Sequence, residues 1–207
     1  MKACVVVVLA GCGWAGVPGS GEPKREVRPV SGFTALEFSG GVAGELVVTP
    51  DFHVEISGDD NLVALVTTEV VGGKLIIDAR KHVRPKLPLV ARIAAPRITA
   101  VEVSGSSRIG LHGVHDEQLS LHVGGSAAIA GDGTVQQLDI DVTGSGAIEL
   151  DKLAAERVKL SVSGSASVEL AVSKLLDARI SGSGSVTYRG DPEVKQDVSG
   201  SGRIVKR

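Results

Sequence analysis

The chain has 207 residues, of which 43% are hydrophobic, and its formal net charge is −2. It is long enough to bury a core and too apolar to be a disordered polar chain. With a slightly negative charge and five aromatic residues, it lacks the cations and stacking rings by which proteins hold nucleic acids, so we predict no nucleic-acid partner.

The N-terminus reads MKACVVVVLAGC. One Lys precedes an apolar run, residues 3–11, which is too short to span a bilayer and is typical of a secretory signal. The LAGC at 9–12 resembles the bacterial lipobox, in which signal peptidase II cuts before the Cys and lipids are attached to its thiol. We predict a lipoprotein signal peptide over 1–11 and lipidation, with palmitate, at Cys12. The alternatives are a buried N-terminal strand that ends in Cys and a signal peptidase I cut after Ala15.

The next residues, 12–25, are rich in Gly and Pro and have no apolar period. We predict a flexible tether here, between the membrane and a domain over residues 26–207. Gly13, and not Asp, follows the cysteine, which is compatible with export to the outer membrane. Lipidation of Cys12 and loss of Cys4 with the signal leave no free thiol for a disulfide or for thiol catalysis.

Residues 26–100 carry weaker patterns. The segments EFSGGV and VEISGDDN resemble degenerate copies of the repeat described next, with Phe38 and Ile56 at its anchor position. TTEVVGGKLIIDAR predicts a hairpin or a longer turn between strands. HVRPKLPLVARIAAP contains three Pro, so we predict that it runs along an edge or the surface.

From residue 100 onward the sequence repeats itself. Each copy has an apolar anchor, a Gly two positions later, a Ser after the Gly, and a branched residue six positions after the anchor. The spacing between successive anchors is 20, 19, 20, 18 and 18 residues. The anchors are Val103, Val123, Val142, Val162, Ile180 and Val198, and the branched residues are Ile109, Ile129, Ile148, Val168, Val186 and Ile204. The Gly-Ser pairs are Gly105 and Ser106, Gly125 and Ser126, Gly144 and Ser145, Gly164 and Ser165, Gly182 and Ser183, and Gly200 and Ser201.

This spacing is too long for a hairpin and too short for a strand-helix-strand unit. It predicts an all-β fold, a parallel β-helix or β-solenoid with coils of 18–20 residues stacked about 4.8 Å apart. Counting the degenerate copies, we expect about eight coils. Six equivalent serines with no His or acid at a fixed offset argue for a structural corner and against catalysis.

Three smaller features follow from the stacking. The outward positions Asp139, Lys159, Asp177 and Lys195 would form a ladder of alternating charge. Tyr188 occupies a position held by Leu in earlier copies and would close the last coils. We find no long amphipathic helix in the sequence, and we predict one turn of helix at most, over residues 151–156.

The closing stretch LDARISGSGSVTYRGDPEVKQDVSGSGRI, together with SGFTALEFSG, VEISGDDNL and LIIDA, resembles the head GIN domain. This family of exported bacterial domains is named for autotransporter adhesins. The resemblance covers residues 26–205 and implies a β-helical exported domain, without implying any catalytic residue.

Two constellations suggest chemistry. His112, His115 and His122, near Asp116 and Glu117, are candidate zinc ligands, although they lie where loop residues are expected. Glu149 and Glu169 share one offset in neighbouring copies, so stacking would bring their carboxylates together, as in a retaining glycosidase. We find no sugar-binding platform of aromatic residues around them.

We therefore predict a non-enzymatic envelope or surface module with an adhesive or scaffolding role, anchored to the outer membrane through its N-terminal lipid. Its partner is expected to be a protein or a glycan, with no metal and no cofactor. The alternative is a carbohydrate-active β-helix enzyme that uses Glu149 and Glu169.

Overall fold

Parallel pairing between successive turns of the chain builds most of the molecule. The computed structural model describes residues 16–207. Within them, no helix is long and apolar enough to cross a membrane. The elements are β1 (Val17–Pro18), β2 (Pro23–Val27), β3 (Ala35–Ser39), β4 (Ala43–Val48), β5 (His53–Asp59), α1 (Asp60–Val63), β6 (Val66–Val71), β7 (Lys74–Ala79), β8 (Val83–Arg84), β9 (Val90–Ala95), β10 (Ala100–Gly105), β11 (Arg108–Gly125), β12 (Ala128–Gly144), β13 (Ala147–Gly164), β14 (Ser167–Gly182), β15 (Ser185–Arg189), β16 (Glu193–Gly200) and β17 (Arg203–Lys206).

The Gly-Ser repeat stacks in register. The six anchors pair in parallel in one row, from Val103 to Val198. The branched residues beyond the corner pair in a second row, from Ile109 to Ile204. The all-β parallel solenoid is thus confirmed. It has about five turns, however, and not the eight that we predict when the degenerate copies are counted.

Each coil has one constant corner and one adjustable bend. The register shifts of β11 to β14 all lie on the side away from the Gly-Ser corner, for example between Leu111 and Val114 and between Leu150 and Ala154. We call this side the bend. Because extra residues are absorbed there, coils of different length keep the same corner geometry.

Alternate side chains of every coil point into one aliphatic core. In the row Leu121, Ile140, Leu160 and Ala178, the exposed fraction is at most 3%. Full burial of a Leu or Ile side chain stabilises a fold by about 1.5–3 kcal/mol relative to exposure. Tyr188 pairs in register with Leu170 and packs partly buried against this core, at the predicted position.

One of the two degenerate N-terminal copies joins the solenoid. β3 pairs in parallel with β10 and brings Phe38 opposite Val103, as expected for an anchor. β5, which carries Ile56, is instead antiparallel to β2 and to β9, so the prediction for that copy is wrong. There Gly58 is followed by Asp59 and α1, and not by Ser and a second strand, so no corner forms.

The hairpin predicted around Gly72 and Gly73 is confirmed, because β6 and β7 are antiparallel with Val71 opposite Lys74. This hairpin continues the sheet beyond β3, to which β7 is parallel. β7 and β6 thus extend the sheet beyond β3, although neither strand carries a Gly-Ser pair.

The prediction that the Pro-containing stretch runs along an edge is wrong for β9, which lies between β4 and β5 and pairs with both. Pro88 and Pro96 flank this strand. The residues of β9 itself therefore keep their N–H groups for pairing on both sides.

The helical turn predicted over residues 151–156 is also wrong, because this stretch lies within β13. Lys152 is opposite Asp132, and Ala154 is opposite both Thr134 and Ala171. Pairing with the coils on both sides outweighs the helix preference of Lys and Ala.

The first described residues are part of the folded domain. β1 pairs in parallel with β8, and β2 is antiparallel to β5. Strands therefore begin within the range 12–25 that we predict as a tether, before the domain boundary expected at residue 26. The predicted signal peptide over 1–11 and the lipid site at Cys12 lie outside the described residues.

Candidate functional site

The twelve corner residues form two rows along the solenoid. The six glycines have φ values between +96° and +130°, a region that side chains other than glycine rarely adopt. A Cβ on Gly125 would also lie 2.6 Å from the carbonyl oxygen of Gly105, and one on Gly164 would lie 2.2 Å from that of Gly144. Both the dihedral angle and the close approach of neighbouring coils therefore require Gly here.

The serines of the corner bond through their main chain. The N–H of Ser126 donates to the carbonyl of Gly105 at 2.8 Å, and each later Ser donates to the Gly of the preceding coil in the same way. The six Ser residues themselves are exposed. This row of N–H···O=C bonds links each corner to the next, so the corner serines have a structural role.

Glu149 and Glu169 lie directly opposite each other on adjacent coils. The guanidinium Nη1 of Arg207 is 3.9 Å from Glu169. The next positions of the same row are Ala130 on one side and Thr187 on the other, and neither Glu lines any of the grooves described below. The two residues are therefore neighbours in register, at a place outside these grooves.

The three histidines do not converge. Nδ1 of His112 lies 2.9 Å from Asp132, and its Nε2 lies 3.4 Å from Glu45. The hydrogen bond with Asp132, helped by Glu45, raises the pKa of His112. His115 instead contacts the hydroxyl of Thr134 at 2.7 Å.

His122 lies in another strand row, opposite Asp141. Within residues 16–207, no group of three or more His, Cys, Asp or Glu side chains is arranged to hold a metal ion. Asp116 and Glu117, the acids noted beside the histidines, are adjacent in the chain, and Asp116 is engaged by Arg97 through two contacts of 2.6 Å.

A groove with a volume of about 560 Å³ runs along the bend; we call it the bend groove. One in-register row in it consists of Thr134, Ala154, Ala171 and Arg189, one residue from each of four coils. Asp116 and Glu156 also line it, so the groove combines small and charged side chains. This groove is not among the sites predicted from the sequence, although small residues at one offset of the bend could have indicated it.

A second groove, with a volume of about 290 Å³, lies on the strands that lead to the corner. The predicted charge ladder lies here in register, with Asp139 opposite Lys159 and Lys159 opposite Asp177. Asp139 nevertheless accepts hydrogen bonds from the amides of Gln118 and Gln137. The charges alternate in sign as expected, but their closest partners come from neighbouring rows.

Asp59 fastens the N-terminal segment to the domain. This residue is completely buried, and its carboxylate accepts hydrogen bonds from the backbone N–H groups of Gly21, Lys86 and Leu87 at 2.6, 2.9 and 3.1 Å. Burial acts to raise the pKa of Asp59, but these three N–H donors outweigh it, and the pKa is lowered. A single carboxylate thus joins three segments that are far apart in the chain.

We expect Asp59→Asn to lower the melting temperature by several degrees at pH 7, because one amide NH₂ group must then face a backbone N–H. Since the pKa of Asp59 is lowered in the folded state, its stabilisation is present above the unfolded-state value and disappears as the pH falls through the folded-state value. The difference between wild type and variant should therefore shrink in acid. Thermal unfolding at pH 7 and pH 3 measures it. Asp51→Asn, at an exposed bend, is the control, and an equal loss there would contradict the role of Asp59.

A family model described as "Putative auto-transporter adhesin, head GIN domain" matches residues 32–192 of the chain. No curated protein matches the chain.

Solved structures with the same fold exist. A putative adhesin from Bacteroides fragilis is 23% identical, with a TM-score of 0.71 over 93% of this chain and 100% of the other. A putative lipid binding protein from Parabacteroides distasonis is 21% identical, with a TM-score of 0.52 over 92% and 99%. A putative adhesin from Parabacteroides merdae is 19% identical, with a TM-score of 0.50 over 92% and 98%. At these identities the likeness concerns the fold.

Proposed function

This chain belongs to the head GIN domain family of putative auto-transporter adhesins, and from that membership we propose that it is an exported binding module of the bacterial envelope. In this proposal Cys12 carries the lipid that holds it to the outer membrane. The solenoid then presents a lateral surface to a protein or glycan ligand, as an adhesin or a scaffold.

The observation that carries the proposal is the bend groove. It crosses four coils, and its row of Thr134, Ala154 and Ala171 leaves room for an extended ligand. Glu156 and Arg189 add charged groups to its lining, each in an ion pair with Lys174 or Asp151 for which a polar ligand would compete. Such a concave surface with a few polar groups suits binding.

The non-enzymatic part of the proposal rests on the corner serines and on the pair Glu149 and Glu169. The corner serines are equivalent and repeat along the solenoid, and Glu149 and Glu169 lie outside the grooves. If wild-type protein released reducing ends from envelope polysaccharides, and Glu149→Gln with Glu169→Gln abolished this, the carbohydrate-active alternative would replace the binding role.

Ligand binding is tested by filling the bend groove. Ala154→Tyr adds a large ring at an exposed position of the groove, whereas Ala130→Tyr adds the same ring at an exposed position outside it. In pull-downs of envelope glycan and of cell-surface protein, we expect the first variant to bind at least about tenfold more weakly than wild type and the second to bind normally. Equal binding by both variants would remove the bend groove from the proposal.

Export and anchoring are tested by protease treatment of intact cells that produce wild type or Cys12→Ala. We expect wild-type protein to incorporate palmitate, to fractionate with membranes and to be digested on whole cells, while the variant is released. Digestion only after the outer membrane is opened would favour a periplasmic scaffold over an adhesin. Wild-type protein in the soluble fraction would contradict the lipid anchor.

A further inference from the structure

The stretch ARKHVRPK, residues 79–86, is the most basic run of a chain whose net charge is −2. It contains Arg80, Lys81, Arg84 and Lys86, with no acidic residue, and all four are exposed. We call these four residues the basic edge. Some cations of the described chain pair with acids, such as Lys74 with Glu37 and Glu102. The four residues of the basic edge form no ion pair within residues 16–207. Its charge is therefore available to an external anion.

The basic edge is hydrogen-bonded to the start of the described chain. The N–H of Val17 donates to the carbonyl of His82 at 2.8 Å, and the N–H of Gly19 donates to that of Arg84 at 2.9 Å. Nζ of Lys86 donates to the carbonyl of Ser20 at 3.2 Å. The first described residues, 17–20, therefore run directly along these cations.

The intervening length of chain is short. Three residues separate Cys12 from Gly16, and an extended chain spans at most about 3.3–3.6 Å per residue. A lipid on Cys12 thus lies within about 14 Å of Gly16. This reach is comparable with the distance of roughly 8–10 Å over which charges act at physiological ionic strength. A membrane that holds Cys12 must lie close to the basic edge.

The nearby acids leave an excess of positive charge. Asp59 is buried beneath this segment and is occupied by three backbone N–H donors. Asp60 accepts a hydrogen bond from the hydroxyl of Ser20, and Asp78 accepts one from Ser39. These hydrogen bonds leave both carboxylates charged, and Glu22, next to Gly21, is exposed as well. The four exposed cations nevertheless outnumber the two exposed acids, Glu22 and Asp60.

We propose that Arg80, Lys81, Arg84 and Lys86 dock this end of the domain on anionic phospholipid headgroups. The anchored domain would then lie against the membrane with its first strands, and the coils around β16 and β17 would point outward. Clusters of basic residues beside a lipid anchor bind anionic membranes, and each cation adds to the attraction. The orientation rests on the proposed lipid anchor, but headgroup binding does not need it.

The experiment uses the full chain with Cys12→Ala, so that lipidation plays no part. Co-sedimentation is measured with vesicles of phosphatidylcholine alone and with vesicles that contain about 30 mol% phosphatidylglycerol. We expect at least tenfold tighter binding to the anionic vesicles at about 50 mM salt, and most of this preference to disappear at about 300 mM salt.

Neutralising the basic edge with Arg80→Gln, Lys81→Gln, Arg84→Gln and Lys86→Gln should abolish the preference. The matched control removes the same charge at the other end, from Lys195, Arg203, Lys206 and Arg207. It should keep the preference. The paired variants Arg80→Gln with Lys81→Gln and Arg84→Gln with Lys86→Gln should each lose part of it, and they serve if the fourfold variant does not fold.

Equal binding of the wild-type sequence to both vesicle types would overturn the proposal. So would an equal loss in the basic-edge and control variants, which would indicate attraction by net charge alone. Binding to soluble heparin without binding to vesicles would point to an anionic polymer and would also overturn it. Palmitate incorporation at Cys12, measured separately, distinguishes failure of the headgroup surface from failure of the proposed anchor.

Discussion

Gly125→Ala is expected to lower the free energy of unfolding by about 2–5 kcal/mol, whereas Gly124→Ala, one residue earlier, should change it by less than about 1 kcal/mol. Gly125 has a φ of +113°, and an added Cβ would lie 2.6 Å from the carbonyl oxygen of Gly105. At Gly124 the nearest atom to an added Cβ is 3.9 Å away. The neighbouring residues therefore differ in backbone conformation and in space, though both belong to the same corner.

A third variant separates these two causes. Gly105 has a φ of +96°, but a Cβ placed there meets no atom within 4 Å. Gly105→Ala should therefore cost only the unfavourable dihedral angle, about 1–2 kcal/mol. Urea unfolding of the three variants should give the order Gly124, Gly105, Gly125 in increasing loss of stability. Equal losses at Gly105 and Gly125 would show that the close approach of the coils contributes nothing.

Leu160→Ala is expected to cost about 2–5 kcal/mol, the range for large-to-small substitution in a packed core. Leu160 is 1% exposed and lies between Ile140 and Ala178 of the adjacent coils. A solenoid coil contacts only its two neighbours, so no distant element can fill the cavity. Lys159→Ala, at the adjacent exposed position, should change stability by less than about 0.5 kcal/mol.

Position along the solenoid provides a second comparison. Val194 has a partner coil on one side only, through β14, and is partly exposed. Val194→Ala should therefore cost clearly less than Leu160→Ala, beyond the difference of one methylene group. Denaturant unfolding measures both, and similar losses would mean that the terminal coil is packed as tightly as the central ones.

The regular coils could be predicted from the sequence because the number of residues between equivalent positions of the repeat is nearly constant. Anchors such as Val123 and Val142 recur at nearly constant spacing, and parallel stacking follows from that spacing. The N-terminal region could not be predicted in the same way. Ile56 fits the anchor pattern, yet its strand is antiparallel to its neighbours, and a helix follows it in place of a Gly-Ser corner. Composition also misled at β9, where Pro88 and Pro96 bound the strand and do not interrupt it.

The candidate site was harder to predict than the fold. The bend groove depends on how Ala154, Ala171 and Arg189 align after register shifts, and these shifts vary from coil to coil. The sequence correctly aligns Asp139 with Lys159, but side-chain reach decides which partner a charge takes, and Asp139 contacts Gln118 and Gln137. The spacing of the repeat thus predicts which residues are opposite each other on neighbouring coils. It does not predict which side chains contact each other.

The stacking direction also determines how the domain would respond to mechanical force. The hydrogen bonds between coils run along the solenoid axis, because strands of a sheet pair at right angles to their length. A pull on β17 against a fixed N-terminus would load one coil at a time and peel the solenoid in small steps, which a single-molecule stretching experiment would record as a series of low, evenly spaced force peaks. A ligand held in the bend groove would grip four coils at once. Side-on attachment would therefore withstand a greater load than attachment at the tip.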